Sequence, residues 1–116
     1  MKLLINVAEK FPFPGARYKD LGPQSGEEFK EFLIQKIKEA YGNDFTNTDG
    51  KKIIINLDGS AGYGSSFLEE GFGGLIRAGV PIQIARDIKL ISSEEPELID
   101  EIKDYISSAA KLAGDK

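Results

Sequence analysis

The chain contains no cysteine, no histidine and no tryptophan. Without cysteine there is no disulfide, no thiolate zinc site and no cysteine nucleophile. Without histidine the commonest general base and the commonest metal ligand are both missing. A serine–histidine pair within one chain is thereby excluded. Basic residues are also scarce relative to acids: 15 Lys and Arg against 19 Asp and Glu give a formal net charge of −4. That balance argues against non-specific nucleic-acid binding. No apolar run approaches the ~20 residues that cross a bilayer. The run at residues 3–7 is too short for a signal peptide, so no membrane partner is expected and the expected location is the cytoplasm.

What is present is ordinary for a folded domain. Apolar residues make up 41% and charged residues 29% of 116 residues, enough for one moderate core and one domain spanning residues 1–116.

The most informative stretch is residues 51–79. The β-branched run Ile53, Ile54, Ile55 leads through Leu57 to Asp58 and a glycine-rich turn. A short apolar run bounded by turn residues reads as a buried strand, parallel and covered on both faces. Gly59, Gly62 and Gly64 allow a sharp turn. Ser66 then fits a helix N-cap, with Glu69 three residues on completing a capping box. The mouth of such a strand–turn–helix unit is where open α/β sheets carry their function.

The remaining elements follow from local pattern. Residues 2–8 read as a strand. Residues 9–23 hold Pro12, Pro14, Gly15, Gly22 and Pro23, punctuation that excludes a helix. Residues 15–18 within them could form a short edge strand, and Phe11, Phe13 and Tyr18 supply apolar bodies. Such a loop either covers a sheet edge or binds. Ser25 and Glu28 make a capping box for a helix whose buried face is Phe29, Phe32, Leu33, Ile37 and Ala40. A second helix spans about residues 67–78. Its glycines, Gly71, Gly73 and Gly74, each cost up to ~1 kcal/mol against alanine. Close approach to the sheet or to a partner would repay that cost. Residues 82–85 suggest a brief extended segment, residues 88–91 a last strand, and the spacing from Leu98 to Leu112 an amphipathic helix. Alternating strands and helices predict an α/β fold: a small single-domain sandwich, a mixed β-sheet with helices packed on it.

Two nucleotide motifs fail at the central turn. Gly59 and Gly64 have Walker A spacing, but Ser65 and Ser66 follow where lysine should. The dinucleotide fingerprint needs a third glycine where Phe67 stands. No cofactor is therefore expected. Asp58, Glu69 and Glu70 could supply oxygen ligands to a divalent cation, or serve simply as a strand-end acid and first-turn helix acids. Ser65 has no capping duty, since Leu68 lies three residues on. A serine just before a helix can carry a phosphate that the helix dipole favours.

The sequence from Ile54 through Asn56, Leu57, Asp58 and Gly59 to Ser65 and Ser66 resembles the core of STAS domains, the anti-anti-sigma factor fold. Tyr63-Gly64-Ser65-Ser66-Phe67-Leu68-Glu69-Glu70-Gly71-Phe72 is more closely similar to the bacterial STAS-like domain family of unknown function. Gly15-Ala16-Arg17-Tyr18 and Ser25-Gly26-Glu27-Glu28-Phe29 match that family's other segments. Gly64 stands where STAS domains have Asp, and Phe67 where they have Gly. The resemblance implies a STAS-like fold and a regulatory, non-enzymatic module. Such a module would dock a histidine-kinase-like ATPase or anti-sigma partner through the turn and helix from Gly62 to Phe72. Arg17, Tyr18, Asp58, Gly62, Tyr63, Gly64, Ser65, Ser66, Phe67, Glu69 and Glu70 would form that surface, with Ser65 the residue phosphorylated. Two alternatives stand beside it. One is a small ligand- or metal-binding protein or enzyme using Asp58, Glu69, Glu70 and Arg17. The other is an assembly module that dimerises through the glycine-rich helix. Arg17 is expected to pair with Asp58 or Glu70, because its fork suits a fixed carboxylate.

Overall fold

The computed structural model describes residues 2–114. Three strands form one sheet in the order β1-β2-β3, with β1 at Lys2–Asn6, β2 at Lys52–Asn56 and β3 at Lys89–Ile91. β2 is central. It pairs with β1 from Lys2↔Lys52 to Asn6↔Asn56 and with β3 from Ile54↔Lys89 to Asn56↔Ile91. Its position follows from its composition: Ile53 and Ile55 are buried in the core, and Leu57 follows them inward. Ile54 points to the opposite face, where it is half-buried beside an exposed Leu4.

The α/β architecture with helices on a sheet is the expected one, but the strands described are parallel throughout rather than mixed. Parallel neighbours require long crossovers, and helices supply them here. The first crossover is α2, Gly26–Tyr41. The second is a continuous helix over residues 65–77: α3 (Ser65–Leu68), a π turn (Glu69–Gly73) and α4 (Gly74–Arg77). It is followed by α5, Ile82–Asp87, while α6, Glu97–Leu112, comes after β3. Among the described residues no helix is long and apolar enough to cross a membrane.

Three local expectations are overturned. Residues 7–10 leave the sheet as α1, Val7–Lys10, and a 3-10 turn occupies Lys19–Leu21, so the proline-rich loop is not free of helix. Residues 15–18 are not an edge strand. Their carbonyls serve α2 instead: Gly26 N–H donates to Ala16 O and Glu27 N–H to Arg17 O, each at 2.8 Å. Those are first-turn amides that no intrahelical acceptor can reach. Finally, residues 82–87 are helical rather than extended. Ile84 and Ala85 are buried there, and their N–H groups bond back to Pro81 O.

The helix layer is joined by aromatic rings. Phe29 of α2 stacks on Phe67 of α3 at 5.1 Å and meets Phe72 edge-on at 5.5 Å, with Phe11 against both Phe29 and Phe67. The glycines explain how two helices come this close. A Cβ on Gly26 would sit 2.8 Å from the Phe67 carbonyl, one on Gly74 would sit 2.7 Å from the Lys30 side chain, and one on Gly71 would overlap the Phe29 ring. Gly71 and Gly74 therefore allow close contact with α2 rather than with the sheet. An interface built on these buried glycines is closed to a partner.

Candidate functional site

β2 hands the chain to a turn held from several sides. Asp58 N–H donates to Asn56 Oδ1 at 3.1 Å, and the Tyr63 hydroxyl donates to Leu57 O at 2.7 Å. Ala61 N–H donates to Pro12 O at 2.9 Å, which ties the turn to the proline-rich loop. Gly59 N–H donates to Glu94 Oε1 at 2.8 Å. The Asp58 carboxylate in turn accepts Ser93 N–H at 3.1 Å and Glu94 N–H at 2.9 Å. These amides, the Glu94 one foremost, hold the Asp58 carboxyl below its ordinary range. Burial pushes the Tyr63 hydroxyl up. Gly59 and Gly62 have φ of +96° and +126°, where a side chain would be strained.

The helix begins at Ser65, with Gly64 at the N-cap position. Ser66 is therefore not the cap, and the Ser66–Glu69 capping box does not form. Glu69 has stronger partners: Arg17 at 2.5 Å and Arg77 at 2.7 Å. Charged partners outcompete a neutral backbone amide. Gly64, Ser65 and Ser66 are exposed, and neither serine side chain makes a hydrogen bond among the described residues.

At the π turn five charged side chains converge. Glu70 is 6% exposed. It meets Lys30 Nζ at 3.1 Å, Arg77 at 3.4 Å and Arg17 at 3.5 Å. Burying a carboxylate is costly unless it is paired, and here three cations surround it. Arg77 first, and Arg17 after it, hold the Glu69 carboxyl below its ordinary value. The Glu69 carboxylate raises the Arg17 guanidinium in return, keeping it charged. The π turn brings the Gly74 N–H to both Glu69 O and Glu70 O. The glycines keep this surface clear, because a Cβ on Gly73 would lie on the Glu69 carboxylate.

The expected residues therefore divide into groups. Arg17, Glu69 and Glu70 come together; of the two carboxylates expected to pair with Arg17, Glu70 does so at 3.5 Å and Asp58 does not, while the nearer partner is Glu69, which was not expected. Asp58 is elsewhere, committed to the loop before α6. The four-residue set proposed for a ligand or metal is not assembled, and among the described residues no group of three His, Cys, Asp or Glu could hold a metal ion. Phe67 and Phe72 are fully buried and cannot form a docking surface. Gly62 and Tyr63 are partly exposed, and Tyr18 is exposed. Sequence reading missed Lys30 and Arg77, while Phe13 was singled out only as an apolar body of its loop. Arg77 lies seven residues after Glu70, on the same helical face, and that spacing was available as a signal. Lys30 gave none.

A family model described as a STAS-like domain of unknown function matches residues 25–98, well over half of the chain. The chain belongs to that family. No curated protein and no solved structure matches it.

Proposed function

We propose that this STAS-like domain is a non-enzymatic regulatory module that binds a protein partner through its exposed turn, with Ser65 as the switch residue. One observation carries the reading. Ser65 and Ser66 are exposed at the start of a helix, their hydroxyls have no partner among the described residues, and they sit on a turn fixed by its neighbours. A fixed turn presents the same surface to every partner at little entropic cost. Phe13, 69% exposed, stands next to Pro12, whose carbonyl holds the turn. Tyr18 and Leu21 are exposed in the same loop. Exposed apolar side chains beside a rigid polar turn suit protein recognition. The docking surface is thus narrower than Gly62 to Phe72: it comprises Gly62, Tyr63, Gly64, Ser65 and Ser66, extended by the loop carrying Phe13, Arg17 and Tyr18.

Added negative charge at Ser65 meets little opposition. Asp58 is engaged by backbone amides, and Glu69 and Glu70 are neutralised by Arg17, Lys30 and Arg77. The helix start favours an anion by roughly 0.3–1 kcal/mol. A phosphate on Ser65 is therefore compatible with the fold and changes the docking surface. The family resemblance makes a histidine-kinase-like ATPase or an anti-sigma factor the partner class to seek. The test is a pull-down from the native host with wild type, Ser65→Ala and Ser65→Asp, with intact-mass analysis for phosphate. Wild type and Ser65→Ala should capture an ATPase-type protein that Ser65→Asp loses. Equal capture by all three, with no phosphate on the wild type, would reject the switch.

A further inference from the structure

At the sheet edge formed by β3 a half-enclosed cavity of about 270 Å³ opens between α5 and α6. Its floor is core: Phe72, Ala85, Ile88 and Ile106 are all buried. Leu90 of β3 forms its half-buried wall. Two exposed cations stand at the rim, Arg86 from α5 and Lys103 from α6. Among the described residues no carboxylate lines the cavity, although the chain as a whole carries a net charge of −4.

The protein's cations fall into two sets, those held in ion pairs and those, like Lys2, Lys10, Lys38, Lys51, Lys89 and Lys111, with no carboxylate partner among the described residues. Arg17 and Arg77 are engaged in ion pairs, as are Lys19, Lys30, Lys36 and Lys52. Among the described residues Arg86 and Lys103 pair with no carboxylate. The wider cleft along α2 offers a contrast, because its Lys19 is already neutralised by Glu31 at 2.6 Å. The cavity is also remote from the turn. Asp87, next to Arg86, accepts from Lys52 at the N-terminal end of β2, whereas the turn leaves the C-terminal end.

From this arrangement we infer that the cavity binds a small amphipathic anion, an apolar chain or ring ending in a carboxylate. The apolar part lies against Phe72 and Ile106. The carboxylate takes Arg86 as a fork donor and Lys103 as a point charge. Ser107 at the rim adds a hydroxyl donor. The volume lies just below the roughly 300–1,000 Å³ typical of sites for drug-sized ligands. The ligand is therefore small, on the order of ten non-hydrogen atoms. A purely apolar ligand would leave the two rim cations unused, and a purely polar anion would leave the floor uncovered.

The test uses octanoate as probe, followed by amide chemical shifts in an NMR titration of the full chain. 1-Octanol and butyrate are the controls. Octanoate should give saturable shifts confined to residues of α5, β3 and α6 around Arg86 and Lys103. Butyrate should bind at least tenfold more weakly, for want of apolar contact. The double variant Arg86→Gln with Lys103→Gln should lose at least tenfold in octanoate affinity and leave that of 1-octanol unchanged. Both changes are at exposed positions, so the folded spectrum should persist. Ser107→Leu, which fills the mouth, should weaken octanoate and 1-octanol alike. Absence of saturation at millimolar octanoate, shifts centred elsewhere, or an unchanged octanoate affinity in the double variant would each overturn the assignment.

Discussion

Two parts of the helix over residues 65–77 make opposite use of their polar side chains. At its middle, Glu69 and Glu70 are consumed by Arg17, Lys30 and Arg77, and the cluster ties the proline-rich loop, α2 and α4 into one body. At its start, Ser65 and Ser66 are exposed, and among the described residues neither hydroxyl has a partner. By charge alone the middle would be the working site. Its geometry says otherwise: a buried carboxylate enclosed by cations has little capacity left for a ligand. The surface free to change its chemistry is the one made of small residues, held still by neighbours rather than by its own side chains.

The sharpest way to separate the two regions is to add one methyl group to each. Gly71→Ala drives a Cβ into Phe29, whose ring is fixed by Phe67, Phe72 and Phe11 and cannot move aside. Overpacking of this kind costs about 3 kcal/mol. Gly64→Ala enters open space at a φ of −80° and should cost no more than ~1 kcal/mol, the loss of a glycine at the N-cap. Urea unfolding midpoints measure both. A Gly71→Ala midpoint as high as that of Gly64→Ala would mean that α2 and the π turn are not in contact as described.

Charge comes next in size. Glu70→Gln leaves Lys30 without its carboxylate and removes the buried member of the cluster. A loss of about 2 kcal/mol is expected, below the 3–5 kcal/mol of fully buried pairs because Lys30 and Arg77 reach solvent. Glu69 gives the pH signature. Its folded carboxyl titrates below its ordinary value of 4.5, so the unfolded chain binds its proton more readily. The stability it contributes is fully present above that ordinary value and is lost as pH falls through the depressed folded value. Arg77→Gln removes the main cause of the depression. Thermal melts from pH 6 to pH 3 should therefore show a shallower acid loss in Arg77→Gln than in wild type. Parallel curves would show that Glu69 does not depend on Arg77.

Much of this was legible in the sequence. The central strand and the Ser25–Glu28 capping box were both set by short-range chemistry, and each is found. The capping box is complete in both directions, Glu28 N–H to Ser25 Oγ at 3.1 Å and Ser25 N–H to Glu28 Oε1 at 3.3 Å. What escaped were choices made by tertiary partners. Glu69 stands three residues after Ser66, correct for a cap, yet Arg77 two turns further along the same helix and the distant Arg17 claim it. Residues 15–18 have the composition of an edge strand, but the bare amides of α2 recruit their carbonyls. Residues 82–85 alternate in polarity, yet burial of Ile84 and Ala85 makes them helical. In each case a local pattern admits two outcomes, and a contact more than a few residues away selects one.

The smallest expected effect is the most discriminating for the turn itself. A serine at an N-cap contributes typically ~1 kcal/mol, and that loss is what Ser66→Ala would show if Ser66 capped the helix. Here Gly64 occupies the cap position and the Ser66 hydroxyl has no partner, so Ser66→Ala should change stability by no more than about 0.5 kcal/mol. Ser66→Asp should be neutral or slightly stabilising at low salt, because the added charge lies in the first turn and the nearest acids are already neutralised. Salt should erase that gain, since the position is exposed. Denaturant midpoints for the three proteins at low and high ionic strength decide the matter. A Ser66→Ala loss near 1 kcal/mol would return Ser66 to a structural role. It would also leave Ser65 as the turn's single unoccupied hydroxyl, narrowing the surface on which any partner could read a modification.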